Sequence, residues 1–539
     1  MASPAYSRRT FLGGAAASAA ALMAWRDPFA LAQSRVPVAR GGTFAQGVSS
    51  GQQTDSGITL WSRVGGLDRT SRVQFEVSTD PGFAKVIHRQ DALAGAEAGF
   101  TALQRVEGLA PGTEYYYRCF SCDTTSAVGR FTTTKADSND PVRIGFFSCQ
   151  AFEAGFYTPH HGLSREPDLD LVVCLGDYIY ERPFYGEEGT RADTTGANGD
   201  GEVQTLPEYR DKYALYHTDQ RLIDVRQRYP LIAIWDDHEV EDNYAGGLPG
   251  DATLDRRIPF ADRQAGAYAA FFEHMPRIRV PGDPNRIYGS MKLGKNAELL
   301  LLDERQFKSD QPCGDAALQP CAEANDPRAF LGDTQKAWFK DALVTSDAAW
   351  KLVGNQVMIM SFDVTVAQNP VTLDSWDGYG AERREIAEFI GGANPTGQPL
   401  RDVSFITGDI HTFFAGRVTP SGRQTAGETA VATEFVCGSV TSEGVVDLLS
   451  PQQELDAGIG ALSEASLLLN NPHLRYIDAA RRGYGVIEAR SDRLDVSFRS
   501  PPTIKDNGVT DIQTIARFSV ARGSTDVVVE QVTAGTAAP

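Results

Sequence analysis

Four short stretches of this chain set metal-binding or proton-carrying side chains directly after an apolar run. SCQ places Cys149 after VRIGFF, and GDYIYE places Asp177 and Tyr180 after LDLVVCL. WDDHE places Asp236, Asp237, His238 and Glu239 after YPLIAI, and GDIH places Asp409 and His411 after VSFIT. Each alone has an ordinary explanation. A Gly-Asp pair after a strand is a common turn and helix cap, and a lone cysteine is more often core than ligand. A histidine can be a structural member of a polar cluster. Together, these explanations must account for Asp, His, Cys and Tyr recurring at strand tips whose bodies stay apolar, although an unpaired buried carboxylate is costly. A cluster of cations accounts for all four. Carboxylates alone suit calcium or manganese, whereas thiolate and phenolate together suit a strongly charged redox metal such as ferric iron. The expectation is a mixed site, one transition metal beside one or more oxygen-bound ions. Two other chemistries use part of the set. A Cys–His nucleophilic hydrolase would pair Cys149 with His160 or His238. A calcium-dependent adhesion protein would use the carboxylates but leave the thiol, phenol and imidazole without a purpose.

Such a site needs a scaffold that brings four strand ends to one place. From residue 142 onward, apolar runs (VRIGFFS, LDLVVCLGD, YPLIAIWDD, AELLLLDER, AWKLVGNQVMIM, VSFITGDIH) alternate with helical stretches. Unbroken apolar strands are covered on both faces. The region from 142 to 525 therefore reads as an α/β domain, in which function gathers beyond the carboxyl ends of the strands. Helices are expected over LPEYRDKYALYHTDQRLIDVRQ (206–227), DRQAGAYAAFFEHM, DTQKAWFKDALVTS and AERREIAEFIG, and antiparallel strands near the end of the chain. Residues 43–134 differ. ITLWSRV, VQFEVST, TALQRVEGL, TEYYYRCF and VGRFTTT are short β-rich runs separated by turn signals, which reads as a small β-sandwich. KADSNDP, 135–141, is a linker, and the polar stretch 185–204 reads as a rim or lid.

The chain has 539 residues and a formal net charge of −19, which argues against a nucleic-acid-binding surface. Near the amino terminus, SRRTFLGG puts Arg8 and Arg9 before an Ala-rich apolar run, followed by small residues at Ala30 and Ala32. That order of charged, apolar and cleavage-like segments resembles a twin-arginine (Tat) signal peptide over residues 1–32. It implies Tat export machinery as a partner and a periplasmic or secreted product. No other segment approaches a membrane span, so none is expected in the mature protein. Of seven cysteines, Cys313 and Cys321 flank a polar loop that a disulfide could close. Cys119 and Cys122 form a lone C-x-x-C, either bridged or free. An odd count leaves at least one unpaired, and Cys149 is the one expected.

The order of the motifs resembles that of metallophosphoesterases, which carry D-x-H, GD, GN-H-D/E and GH-x-H, each after a strand. Here those slots hold S-C-Q, GD-x-x-Y, W-D-D-H-E and GD-I-H. This variant set, with the twin-arginine start, the small β-domain and the FLGDTQKAWFKDAL helix, resembles the PhoD-type alkaline phosphatase/phosphodiesterase family across most of the mature chain. The resemblance implies an αββα metallophosphoesterase-like sandwich behind a fibronectin type III-like β-domain, with an Fe(3+)–Ca(2+) centre. Cys149, Asp177, Tyr180 and His411 would hold iron, Asp177 would bridge, and Asp237 and Asp409 would hold calcium. His238 falls in the slot that contacts phosphate and is the candidate catalytic acid. The implied activity is hydrolysis of phosphate monoesters or diesters by attack of a metal-bound hydroxide; a phospholipase D-like phosphodiesterase is the alternative within enzymes.

Overall fold

The computed structural model describes residues 36–184, 189–250, 254–316, 319–363, 370–444 and 457–538. The expected signal at 1–32 lies outside them, as does the start of the 185–204 stretch.

The amino-terminal region is all β. Its strands are β1 (Val48–Gly51), β2 (Gly57–Arg63), β3 (Ser71–Ser78), β4 (Val86–Ala94), β5 (Thr101–Glu107), β6 (Glu114–Phe120) and β7 (Gly129–Thr132). They form a three-stranded sheet, β1-β2-β5, and a four-stranded sheet, β4-β3-β6-β7. Inward residues of both, among them Ile58, Leu60, Phe75, Val77 and Tyr117, share one core, the arrangement of a sandwich. The LAPGTEYYYR corner is closed by Tyr115, whose hydroxyl accepts the Ala110 N–H at 2.9 Å while its ring packs on Phe131. Sequence pattern missed two strands. β1 is VSSG, with no β-forming run, and β4 is an edge strand with few buried side chains.

The body is built on β8 (Val142–Phe147), β9 (Leu171–Cys174), β10 (Leu231–Ala233), β11 (Gly289–Lys292), β12 (Ala297–Leu301), β13 (Trp350–Asn355), β14 (Val403–Thr407) and β15 (Phe413–Val418). It continues through β16 (Ala432–Val436), β17 (Leu474–Asp478), β18 (Tyr484–Ala489), β19 (Arg493–Ser500), β20 (Gln513–Ala521), β21 (Val528–Val532) and β22 (Thr536–Ala537). One sheet has the order β10-β9-β8-β18-β19-β20-β21 and the other β11-β12-β13-β14-β16-β15-β17-β22. Strand pairing in both sheets runs past residue 525. Within them β8, β9 and β10 are parallel, as are β12, β13, β14 and β16. The helices are α1 (Thr158–Leu163), α2 (Leu206–Tyr216), α3 (Gln220–Arg228), α4 (Phe260–His274), α5 (Asp333–Thr345), α6 (Gly380–Gly391) and α7 (Ala457–Asn470).

Alternation along the strands explains the layers. Leu299, Leu352 and Ile406 face the first sheet and join Phe146, Val172 and Ile487 in the main core. Their neighbours Leu300, Val353 and Phe405 face the other way, onto Phe339 and Leu343 of α5 and Ile386 and Ile390 of α6. A period-two pattern with both faces apolar is a strand buried on both sides. The single helix expected over 206–227 is instead two. α2 opens with a Thr205/Glu208 capping box. The chain breaks at His217 to Asp219, and the Asp219 carboxylate caps α3 by accepting the Arg221 and Leu222 N–H groups. The aspartate offers the backbone a better ending than helix continuation.

The sandwich abuts the body at a polar seam. Trp61 Nε1 donates to Glu273 O at 2.8 Å, and Gln46 Nε2 donates to Ala214 O at 3.0 Å. Cys313 and Cys321 are bridged, while Cys119, Cys122, Cys149, Cys174 and Cys437 are free. The lone C-x-x-C therefore closes no loop.

Candidate metal centre

The ends of β8, β9, β10 and β14 converge, so the site draws on both sheets of the body. The backbone turns sharply just past the strands. Cys149, Asp177, Asp409 and His411 all have positive φ, at 58°, 52°, 65° and 55°. Left-handed backbone is uncommon outside glycine and costs about 1–3 kcal/mol per residue. Here it ends the strand and turns the side chain into the gap between loops. Two glycines permit the close approach. At Gly176, whose φ is +113°, an added Cβ would lie 2.5 Å from Asp236 Cβ. At Gly408 it would lie 2.5 Å from the Ser148 side chain.

Cys149 Sγ, a carboxylate oxygen of Asp177 and a ring nitrogen of His411 lie within 4.8 Å of one another. Tyr180 joins them. Its hydroxyl donates to Asp177 Oδ2 at 3.0 Å, lies 3.1 Å from His411 Nε2 and accepts from Ser442 Oγ at 2.7 Å. His411 Nδ1 is 2.5 Å from the Glu443 carbonyl, which fixes the proton on Nδ1 and turns Nε2, with its lone pair, toward the cluster. Burial lowers the imidazole to about 3, against the pull of that hydrogen bond, so it is neutral and able to ligate. Burial also raises the Cys149 thiol well above its ordinary range, and the nearby Asp177 carboxylate adds to the rise. An inert thiol would sit among hydrocarbon alone; this one faces a carboxylate and an imidazole.

A second group shares Asp237. Carboxylates of Asp236, Asp237 and Asp409 lie within 4.8 Å of one another, as do ligand atoms of Asp177, Asp237 and His238. Burial raises Asp409 well above the carboxylate range, and the like charges of Asp236 and Asp237 reinforce it. Burial, the largest single influence, pushes Asp237 the same way, but Arg305, His238 and the Asn243 N–H together overcome it and hold that carboxyl low. Arg305 is fully buried. Its Nε pairs with Asp236, Nη2 lies 3.4 Å from Asp237 and Nη1 lies 2.7 Å from Asp374. Lys308 also pairs with Asp374. Glu239 stitches the loops: its carboxylate accepts the N–H groups of Asp177 (3.1 Å), Tyr178 (2.5 Å) and Asp236 (2.7 Å).

His238 lies between the groups, its ring stacked on Tyr180 at 4.1 Å between centroids. Its Nδ1 is 2.7 Å from Glu181 Oε2, and its Nε2 is 3.9 Å from Asp242 Oδ1. Burial raises the Glu181 carboxyl, yet the His238 charge and hydrogen bond prevail and leave it below its ordinary value.

The residues to which the resemblance gives a role, Cys149, Asp177, Tyr180, Asp237, His238, Asp409 and His411, come together here, whereas His160 faces Gln150 instead. Sequence reasoning did not single out Glu181, Arg305, Lys308, Asp374 or Ser442. Glu181 stands within the same GDYIYE stretch. Arg305 ends the apolar AELLLLDER run, so the rule that found the others reaches it as well. Asp374 follows no strand, and Ser442, a short way past β16, is a hydroxyl that carries no such signal.

The donor set suits cations. Asp177 Oδ1, Asp236 Oδ2 and Asp237 Oδ1 are buried and accept no hydrogen bond; Arg305 Nη2 faces the last of them at 3.4 Å, and the other two call for a cation or a proton.

Comparison with known proteins gives matches along most of the chain. A family model described as PhoD-like phosphatase covers residues 144–498, and one described as PhoD-like phosphatase, N-terminal domain, covers 30–135. Alkaline phosphatase D of Bacillus subtilis (strain 168) is 31% identical over 503 residues, covering 89% of this chain and 81% of that protein. A structure of PhoD is 29% identical with a TM-score of 0.80, covering 92% of this chain and 94% of that one. Purple acid phosphatase PPD1 from yellow lupin (Lupinus luteus) seeds shares the fold, with a TM-score of 0.52 at 12% identity over 88% of this chain and 74% of that one.

Proposed function

The chain belongs to the PhoD-like phosphatase family and is a phosphoric ester hydrolase of metallophosphoesterase fold, and from that premise we propose that it is an exported enzyme whose hydrolysis of phosphate monoesters or diesters depends on Fe(3+) and Ca(2+). The observation that carries the metal reading is the meeting of a thiol, a carboxylate, a phenol and a neutral imidazole around one point. Cys149, Asp177, Tyr180 and His411 would hold iron, with Asp177 shared, and Asp237 and Asp409 would hold calcium. When bound, such ions draw electron density from the phosphoryl oxygens and make water acidic enough to supply a nucleophile near neutral pH.

The chain's own groups do the rest. Ser442 and Asp177 fix the Tyr180 hydroxyl from two sides. The Tyr180 ring in turn holds the His238 imidazole flat against it. Glu181 accepts a hydrogen bond from the Nδ1–H of His238 and stabilises the imidazolium form. The opposite nitrogen, Nε2, then gives its proton to the departing alkoxide as the P–O bond breaks. The buried Arg305 keeps Asp236, Asp237 and Asp374 gathered without itself meeting substrate.

Elemental mass spectrometry of purified protein, with p-nitrophenyl phosphate turnover before and after chelation, tests the reading. Iron and calcium should both be found, and activity should vanish on chelation and return with the two ions. Protein that contains neither and still turns over substrate would overturn it. Tyr180→Phe should lose the visible phenolate-to-iron absorption band. Export is supported by the paired Arg8 and Arg9 ahead of the apolar run. Replacing both with lysine should retain the protein in the cytoplasm on cell fractionation. Among the described residues no helix is long and apolar enough to cross a membrane.

A further inference from the structure

A second concentration of polar groups lies at the seam between the amino-terminal sandwich and the body, and the chemistry above makes no use of it. Its centre is Arg226 of α3, which is fully buried. The guanidinium stands 4.3 Å over the Trp61 ring of β2. One long hydrogen bond runs from Nη2 to His274 O at 3.5 Å, and Nε and Nη1 have no acceptor. The groups that face it electrostatically are the phenols of Tyr178 and Tyr117. Among the described residues it forms no ion pair with a carboxylate.

The surrounding groups are equally unmet. His217 is buried with neither ring nitrogen partnered, and the hydroxyls of Tyr178 and Tyr213 and Nε2 of His274 have no partner either. They form one cluster. The His217 ring lies 5.3 Å from Trp61, 5.5 Å from Tyr178, 6.2 Å from Tyr213 and 5.8 Å from His274. Tyr178 follows Asp177 in sequence, but its ring turns away to this seam.

An arginine does not shed its proton in a protein, so the charge on Arg226 is permanent. A cation over an indole is partly compensated, but a buried charge without a counter-charge is strongly unfavourable. Most of the unmet groups are donors: Arg226 Nε and Nη1, the hydroxyls of Tyr178 and Tyr213 and one nitrogen of His217; Nε2 of His274, whose Nδ1 proton goes to the Ala270 carbonyl, is a neutral acceptor without charge. Burial, helped by Arg226, holds His217 far below its ordinary range, so its ring is neutral and offers one N–H. The missing component is an acceptor that is also negative. Water supplies acceptors but no charge. The rings of Trp61, Tyr178 and His274 stand 5.3, 5.5 and 5.8 Å from that of His217, at packing contact, which leaves no room for a tetrahedral oxyanion and limits the counter-charge to a single atom.

We propose that this seam binds a small monovalent inorganic anion of the halide class, which neutralises Arg226 and fastens the amino-terminal sandwich to the body. The site is separate from the phosphate-processing centre and does not rest on the metal reading.

Two measurements on the full-length holoenzyme test it. Crystals soaked in sodium bromide should show an anomalous scattering peak within hydrogen-bonding distance of Arg226 Nε or Nη1. In solution, replacing sodium methanesulfonate by sodium chloride at equal ionic strength should raise the melting temperature by about 2 °C or more in the wild type, and Arg226→Met should abolish the difference. Absence of the bromide peak overturns the proposal, whether or not the variant folds. So does a chloride response that persists unchanged in Arg226→Met.

Discussion

The Glu181–His238 pair gives the sharpest expectation for a single side chain. If His238 Nε2 protonates the departing oxygen, a poor leaving group needs that proton more than a good one. His238→Asn should lower kcat/KM by about a hundred-fold for an alkyl phosphate ester, and by clearly less for p-nitrophenyl phosphate. Glu181→Gln, which keeps the 2.7 Å contact but removes its charge, should act in the same direction by about ten-fold. Steady-state kinetics on both substrates checks the split, and equal losses would remove the acid role from His238. Arg305 has a different part. Replacing it with methionine leaves Asp236, Asp237 and Asp374 without their internal cation. Breaking such a buried network should cost about 3–5 kcal/mol in a urea unfolding experiment. Saturating calcium should recover part of that loss, since a divalent ion answers the same carboxylates. Arg305→Lys should recover less than the wild type, because a point charge cannot meet three carboxylates from one fork.

Elements decide how these side chains are presented. Gly176 ends β9 in a conformation that an alanine cannot adopt without strain, and its missing Cβ admits Asp236. Gly176→Ala should therefore destabilise the fold by roughly 1–3 kcal/mol and also abolish activity, because the loops carrying Asp177 and Asp236 must separate. A variant with normal turnover would show that the approach is not needed. The Cys313–Cys321 bridge closes a short loop, with a sequence separation of 8. That loop carries Asp315, which accepts from Asn243 Nδ2 and from the Leu373 N–H, each at 3.2 Å. Asn243 in turn donates its N–H to Asp237 at 2.8 Å. Cys321→Ser should cost about 2–3 kcal/mol by loop entropy and weaken calcium binding measured by titration calorimetry. The elements were legible in the sequence where burial was two-sided. β8, β9, β12, β13 and β14 show as apolar runs, and their charged endings pointed to the site. What escaped was set by contacts distant in sequence. β1 owes its strand to pairing with β2 rather than to VSSG. The break before α3 depends on one aspartate cap. Arg305 stands at a strand end where the same rule points, but its partners Asp236, Asp237 and Asp374 come from other parts of the chain and only the fold gathers them around it.

At the scale of the molecule, the fold followed from alternating strands and helices and from the order of four motifs, because every motif ends a strand and parallel strands end together. The seam beneath the sandwich did not follow, since Trp61, Tyr213, His217, Arg226 and His274 read one by one as ordinary core or surface residues. The whole chain also answers to its ions. Chelation should lower the melting temperature, and returning iron and calcium should restore it. A melting curve unaffected by chelation would mean that the carboxylates are held by Arg305 and Lys308 alone. There is a further consequence of building the centre from loops of both sheets. The two layers meet through hydrocarbon over most of their area but through opposed charges at one end. Breathing of the layers should therefore be lopsided. With the cations withdrawn, backbone amides around Cys149 to Ala151 and Gly408 to His411 should exchange with deuterium sooner, while the ladder between β19 and β20 keeps its pace.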